Sequence, residues 1–105
     1  MLKIYGSDLC PDCVSCKAAF DANNVTYEFV NITESMRNLK EFLKLRDNDS
    51  VFDDPRQNGY VGIPALLFED GRISLDWESY LTDNGFTINT SEKKGAACRI
   101  DGSGC

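Results

Sequence analysis

The feature that most constrains the fold of this chain is a pair of cysteines at the junction of a short strand and a helix. Residues 2–5 form an apolar segment with strand-forming side chains, and Cys10-Pro11-Asp12-Cys13 follows after a short turn. We expect Cys10 to cap the helix and Pro11 to take its first position, where the missing N–H costs no hydrogen bond. Strand, turn, paired thiols and helix in this order are typical of thiol–disulfide exchange sites.

The composition also indicates that any reactive groups of the chain are thiols. The chain has 105 residues, five cysteines and no histidine, which excludes Cys–His nucleophile pairs, Ser–His–Asp triads and mixed Cys/His zinc sites. A formal charge of −6 argues against nucleic acid as a partner. The chain has neither an apolar run of membrane length nor a signal-peptide pattern, so we expect no membrane association and a cytoplasmic protein, whose thiols are kept reduced.

Hydrophobic periodicity predicts the element order β-α-β-α-β-β-α, an α/β fold with a four-stranded mixed sheet. The predicted strands cover residues 2–5, 25–31, 65–69 and 72–74, and Asp70-Gly71 is a strong hairpin signal between the last two.

The predicted helices differ in how clearly their ends are marked. The first extends from Cys10 through Phe20 and stops at Asn23-Asn24, and the last is capped by Asp76 and closed by Gly85. The middle helix is predicted to have Thr33 as its cap and an apolar stripe of Met36, Leu39, Phe42 and Leu43. Residues 47–62 show no period and predict a long loop. We predict one domain over residues 1–84 and a cysteine-bearing tail over residues 85–105.

This element order, with Cys10-Pro11-Asp12-Cys13 and Gly62-Ile63-Pro64 in their respective places, resembles the glutaredoxins of the thioredoxin superfamily. Some bacterial glutaredoxin-related proteins, which share the third cysteine, the long loop and a cysteine-bearing tail, are more similar still. The resemblance implies a thioredoxin fold and a protein disulfide oxidoreductase that serves electron transport and cell redox homeostasis. It further implies that Cys10 is the nucleophile, Cys13 the resolving cysteine and Pro64 a cis-proline.

The resemblance also implies a substrate site. A cis Ile63–Pro64 bond would present the Ile63 backbone to an extended substrate, and Glu78 aligns loosely with an acidic residue of the family's glutathione clamp. Glutathione-using members usually have a basic residue shortly before the first cysteine and an aromatic residue between the two. Here those neighbourhoods hold Ser7, Asp8 and Asp12.

We therefore expect weak glutathione affinity and no bound cofactor, although glutathione is one candidate reductant. The expected partners are a disulfide-containing protein or a low-molecular-weight thiol, together with an unidentified reductant. We expect the chain to act as a monomer.

The helix N-terminus is expected to lower the pKa of Cys10 from its usual value of about 8.5, because N–H groups without helical partners and the helix dipole stabilise a thiolate. Asp8 and Asp12 oppose this effect by like-charge repulsion, which predicts a milder depression. Cys13 lies one turn further into the helix, where we expect a less exposed thiol.

Three further cysteines are candidate auxiliary redox groups. Cys16 stands three residues after Cys13, and this spacing in a helix is too long for an unstrained disulfide. Two interpretations of Cys16 stay open: a small buried residue, or a third redox thiol or metal ligand. Cys98 and Cys105 frame a turn-rich segment, and we predict a reversible disulfide between them that exchanges electrons with the Cys10–Cys13 pair.

Two alternative functions stay open from the residues alone. One is a metal or iron–sulfur binding module using Cys10, Cys13, Cys16 and a tail cysteine, although we predict no metal because Pro64 takes the room that a metal would use. The other is a redox-regulated binding protein without turnover.

Overall fold

The fold is built on a four-stranded mixed sheet in the order β2-β1-β3-β4, seen in a computed structural model that describes residues 1–86. Strand β1 pairs in parallel with β2 and antiparallel with β3, and β3 pairs antiparallel with β4. The strands are β1 Lys3–Gly6, β2 Glu28–Asn31, β3 Ala65–Leu67 and β4 Ile73–Ser74. The helices are α1 Pro11–Ala22, α2 Met36–Asn48, α3 Asp53–Asn58 and α4 Trp77–Asp83. This arrangement confirms the predicted thioredoxin-like α/β fold.

The central strand β1 divides the apolar interior into two clusters because neighbouring side chains of a strand point to opposite faces. Ile4 packs with Phe20 and Trp77 in a cluster that includes residues of α1 and α4. Tyr5 packs with Phe42 of α2 in the other cluster. The cysteines are divided between the clusters as well, with Cys10 and Cys13 on the Tyr5 side and Cys16 on the Ile4 side.

Helix α1 follows the sequence prediction closely. Cys10 is its N-cap, Pro11 its first residue and Asn23 its C-cap. Asn24 has a φ of 58°, the left-handed conformation that asparagine tolerates and that ends the helix.

The predicted loop over residues 47–62 is wrong. Its first residues complete α2, a 3₁₀ helix follows over Ser50–Phe52, and α3 comes directly after. The Phe52 side chain is buried and its ring contacts Phe42 edge-on at 5.8 Å between centroids. One anchoring aromatic residue in two such short helices leaves no repeating pattern, which explains why periodicity did not reveal them.

The predicted start of α2 is also wrong. Ser35, not Thr33, is the N-cap, and its hydroxyl accepts the Asn38 N–H at 3.2 Å. Met36 is 66% exposed and so does not belong to the buried face of the helix, unlike Phe42. Thr33 was the wrong cap because two candidate hydroxyls lie two residues apart, and the pattern does not distinguish them.

None of the helices within residues 1–86 combines the length and the apolar composition that a membrane span requires. The predicted domain boundary at residue 84 stays a prediction. Residues 87–105, with Cys98 and Cys105, are outside the described part of the chain.

Candidate active site

Cys10 lies where the turn after β1 enters α1. Its backbone is extended, with φ −102° and ψ 116°, and its sulfur accepts the N–H of Cys13 at 3.4 Å. A sulfur in this position replaces the hydroxyl or carboxylate of an ordinary helix cap. The arrangement favours negative charge on the Cys10 sulfur, because the first N–H groups and the positive end of the helix dipole face it.

The three clustered cysteines are not bonded to one another. Cys10 is disulfide-bonded, whereas Cys13 and Cys16 are free, buried thiols. The Cys10 disulfide therefore involves neither of the two neighbouring cysteines. The catalytic assignments of Cys10 and Cys13 stay predictions.

Cys13 is fully buried, and this burial raises the pKa of its thiol to about 12. A hydrogen bond from the Ser7 backbone acts against the effect of burial, the charges of Asp12 and Asp8 reinforce it, and Lys17 opposes it. Because desolvation dominates, Cys13 keeps its proton at neutral pH.

Cys16 lies on the other side of α1 in an acidic neighbourhood. Burial raises the pKa of its thiol, and the charges of Cys13, Asp12 and Glu78 act in the same direction. Glu78 has one buried carboxylate oxygen in the first turn of α4. This places Glu78 near Cys16, and its predicted role in glutathione binding stays a prediction.

Asp12, between the two cysteines, joins α1 to α4. Its carboxylate accepts the indole N–H of Trp77 at 3.4 Å, and the Trp77 side chain is buried. The start of α1, which carries the cysteines, is thereby attached to the last helix within residues 1–86.

The second sequence motif meets the first in space. The Ile63–Pro64 peptide bond is cis, as the sequence predicts, and Ile63 belongs to the same buried cluster as Cys10 and Cys13. The preceding residues are held by Arg46 of α2, whose guanidinium donates to the Val61 and Tyr60 carbonyls at 2.8 Å each. The fold thus brings together two motifs that are distant in sequence.

Comparison with protein-family profiles matches residues 2–70 to the glutaredoxin family. The chain belongs to the glutaredoxin family. It is also 42% identical over 73 residues to an uncharacterised protein of Haemophilus influenzae, an overlap that covers 70% of this chain and 85% of that protein.

Ser7 is a site residue that sequence reasoning missed in this glutaredoxin. It is buried, its carbonyl accepts the Cys10 N–H at 3.2 Å, and its hydroxyl accepts the Leu9 N–H at 3.1 Å. The same hydroxyl shares a hydrogen bond with Thr33 at 2.9 Å. Ser7 therefore fixes the turn that carries Cys10. The available sequence signal was a serine in a turn, because serine hydroxyls there often accept a backbone N–H from two residues further along.

Lys17 is a second residue that the sequence did not single out. Its ammonium group lies 2.8 Å from an Asp8 carboxylate oxygen and 4.0 Å from the centroid of the Phe29 ring. Lys17 lowers the pKa of Cys13 and so supplies positive charge to the site from α1. Residues 7–9, which precede Cys10, include no basic residue, so this positive charge comes from within α1.

Gly6 leaves the space that the Cys13 sulfur occupies. A Cβ at Gly6 would lie 2.8 Å from the Cys13 sulfur and 3.2 Å from the Phe29 ring. We expect Gly6→Ala to lower the free energy of unfolding by about 1–3 kcal/mol, because a methyl group is forced into a packed interior. Urea denaturation measures the change.

The matched control for Gly6→Ala is the double variant with Cys13→Ala, which removes the contacting sulfur. Since the two changes relieve each other, the double variant should lose at least about 1 kcal/mol less than the sum of the two single variants. Additive losses would contradict a contact between Gly6 and Cys13 as the cause.

The alternative interpretation of the cysteines was that they bind a metal ion or an iron–sulfur cluster. Within residues 1–86, no three His, Cys, Asp or Glu side chains are grouped so that they could hold a metal ion. A metal site that includes a tail cysteine would need Cys98 or Cys105, which lie outside the described residues.

Proposed function

We propose that this glutaredoxin-family protein is a thiol–disulfide oxidoreductase whose nucleophile is Cys10 and whose second thiol is Cys13. The observation that supports this most directly is the Cys10 sulfur at the N-cap of α1, with the Cys13 N–H donated to it at 3.4 Å. A helix N-terminus stabilises a thiolate, and the thiolate is the form that attacks a disulfide.

The reaction takes two exchange steps. The Cys10 thiolate attacks one sulfur of the substrate disulfide, so that a mixed disulfide forms and the first substrate thiol leaves. Cys13 then loses its proton to solvent and attacks the Cys10 sulfur, which releases the second substrate thiol and leaves a Cys10–Cys13 disulfide. An external thiol reductant supplies the two electrons that restore both thiols.

The charge around the site favours a disulfide other than that of glutathione. Asp8 and Asp12 flank Cys10, and both act to keep the neighbouring Cys13 thiol protonated. Glutathione carries net negative charge, so these carboxylates oppose its approach. We propose a polypeptide disulfide as the substrate, with the Ile63 backbone, Pro64 and Glu78 on the binding surface, and glutathione as a weakly bound reductant.

Cytoplasmic proteins keep their cysteines as thiols, the form that the proposed nucleophile needs. We propose the cytoplasm as the site of action, with a role in redox homeostasis there.

Trapping the mixed disulfide tests the proposed chemistry. In a chain with Cys98→Ser and Cys105→Ser, adding Cys13→Ser should make a disulfide-containing model protein accumulate as an adduct on Cys10, because no second thiol can release it. Non-reducing electrophoresis and intact mass spectrometry detect the adduct.

Two controls make the trap specific to Cys10. Cys16→Ser in the same tail background should show no such accumulation, and adding Cys10→Ser to the trapping variant should remove the adduct. An adduct that survives Cys10→Ser would refute Cys10 as the nucleophile.

A further inference from the structure

The segment that leads into Ile63 and Pro64 is held by a side chain from α2. Arg46, in the last turn of α2, donates from Nε to the Val61 carbonyl and from Nη2 to the Tyr60 carbonyl, at 2.8 Å each. Two successive carbonyls are thereby bound by one guanidinium group. Because the guanidinium is a planar and rigid fork, it fixes the direction of both carbonyls and not only their distance from α2.

The same segment is fixed at two further points. The Tyr60 N–H donates to the Pro55 carbonyl of α3 at 3.0 Å. Gly62 lies so close to the Phe52 ring that a Cβ at Gly62 would be 2.9 Å from Phe52 Cδ1. Residues 60–62 therefore have a defined place relative to α2, α3 and the 3₁₀ helix between them.

The end of α2 that carries Arg46 is fixed as well. Arg56 of α3 donates to the Arg46 carbonyl and, at 3.2 Å, to the Asp49 carbonyl. The backbone and the side chain of Arg46 are thus both engaged in hydrogen bonds. A displacement of residues 60–62 away from α2 requires that the two guanidinium hydrogen bonds break.

The position of this segment bears on the reacting cysteine. Ile63 follows Gly62 directly, is 4% exposed and belongs to the same buried cluster as Cys10 and Cys13. Because protein interiors are close-packed, a shift of the chain at Gly62 also displaces Ile63 within that cluster. Arg46 therefore acts on the backbone near Cys10 through the residues that it holds.

We propose that Arg46 is a positioning residue for polypeptide substrates, because its guanidinium fork holds residues 60–62 so that the Ile63 backbone can receive an extended chain. The inference rests on the proposed function, in which a polypeptide disulfide reacts at Cys10. An extended chain that binds along another backbone makes main-chain hydrogen bonds, so its affinity depends on where that backbone lies. A small disulfide makes no such array of contacts and needs only access to the Cys10 sulfur.

Steady-state kinetics with two substrates test the proposal. Full-chain variants reduce either a model protein disulfide or bis(2-hydroxyethyl) disulfide, with a thiol reductant in excess. Arg46→Met keeps an unbranched apolar stem and removes both hydrogen bonds. For the protein disulfide we expect KM to rise at least about tenfold and kcat to stay within about twofold of native, because binding is lost and chemistry is not. For the small disulfide both constants should stay within about twofold of native.

Two further variants separate the hydrogen bonds from the charge. Arg46→Lys keeps the positive charge but replaces the fork by one ammonium group, so KM for the protein disulfide should still rise at least about threefold. Arg37→Met removes an exposed arginine from the first turn of the same helix and should leave both substrates at native values. A rise in KM in Arg37→Met equal to that in Arg46→Met would assign the effect to the charge of α2 and overturn the proposal.

A merely structural role of Arg46 gives a different result. Partial unfolding lowers the amount of active protein, so kcat would fall by one common factor for both substrates while both KM values stayed native. That result would overturn the proposal, and so would native constants for both substrates. If Arg46→Met does not fold, Arg46→Lys decides between the same outcomes.

Cys10→Ser separates this inference from the proposed function. Activity toward either substrate that survives Cys10→Ser would reject the proposed function. Activity that depends on Cys10, together with a native KM for the protein disulfide in Arg46→Met, would reject only the role of Arg46.

Discussion

Replacing Cys10 by serine is expected to lower the rate of disulfide reduction by at least about a thousandfold, because a neutral hydroxyl does not attack a disulfide sulfur at neutral pH. The substitution changes one atom and keeps a side chain that can cap α1, since serine is among the preferred N-cap residues. A loss of activity with unchanged unfolding free energy would therefore report chemistry and not folding. The measurement is the turnover of a protein disulfide with a thiol reductant in excess.

Cys16→Ser is the matched control for Cys10→Ser. Cys16 is also a cysteine of α1, but it is buried in the cluster on the opposite face of the sheet from Tyr5. We expect its replacement to lower stability by about 1–3 kcal/mol, because a hydroxyl is buried where a thiol packed, and to leave turnover within a few-fold of native. Comparable activity losses in both variants would contradict a unique role for Cys10.

The parts of the site that the sequence predicts correctly are those with local signals. Pro11 behind Cys10 specifies the start of α1, and Asn23-Asn24 specifies its end, because these residues have strong conformational preferences of their own. The hairpin at Asp70-Gly71 is predicted for the same reason, and Gly71 has the positive φ, 93°, that the turn requires.

The parts that sequence reasoning missed depend on contacts between distant residues. Lys17 reaches the site because Asp8 and Phe29 hold it, and neither contact can be read from its position in the chain. Arg46 of α2 donates to the carbonyls of Tyr60 and Val61, which lie in the segment that we predicted to be a loop. Such contacts have no period and no fixed spacing, so hydrophobic patterns do not report them.

The predicted effect of Asp8 and Asp12 on the pKa of Cys10 stays a prediction. Asp8 and Asp12 do raise the pKa of a site cysteine, but the cysteine for which this is seen is Cys13, and burial contributes more than either charge. Exposure is a property of the assembled fold. The sequence placed Cys13 deeper than Cys10 without indicating that it would be fully buried.

The burial of Cys13 predicts a steep pH dependence for the step that it performs. Burial raises the pKa of the Cys13 thiol to about 12. Well below that pKa, the thiolate fraction rises tenfold for each pH unit, because the protonated form dominates. Release of a thiol from a Cys10 mixed disulfide should therefore accelerate by about a hundredfold between pH 7 and pH 9.

The experiment uses a chain with Cys98→Ser and Cys105→Ser, so that Cys13 is the intended resolving thiol, and a chromogenic aromatic thiol attached to Cys10. An aromatic thiol leaves as a thiolate throughout this pH range, so the slope reports the attacking group and not the leaving group. Cys13→Ser should abolish the fast release at both pH values, while Cys16→Ser should keep the slope. A rate that is flat from pH 7 to pH 9 would mean that Cys13 is already a thiolate at pH 7, and that burial does not control the resolving step.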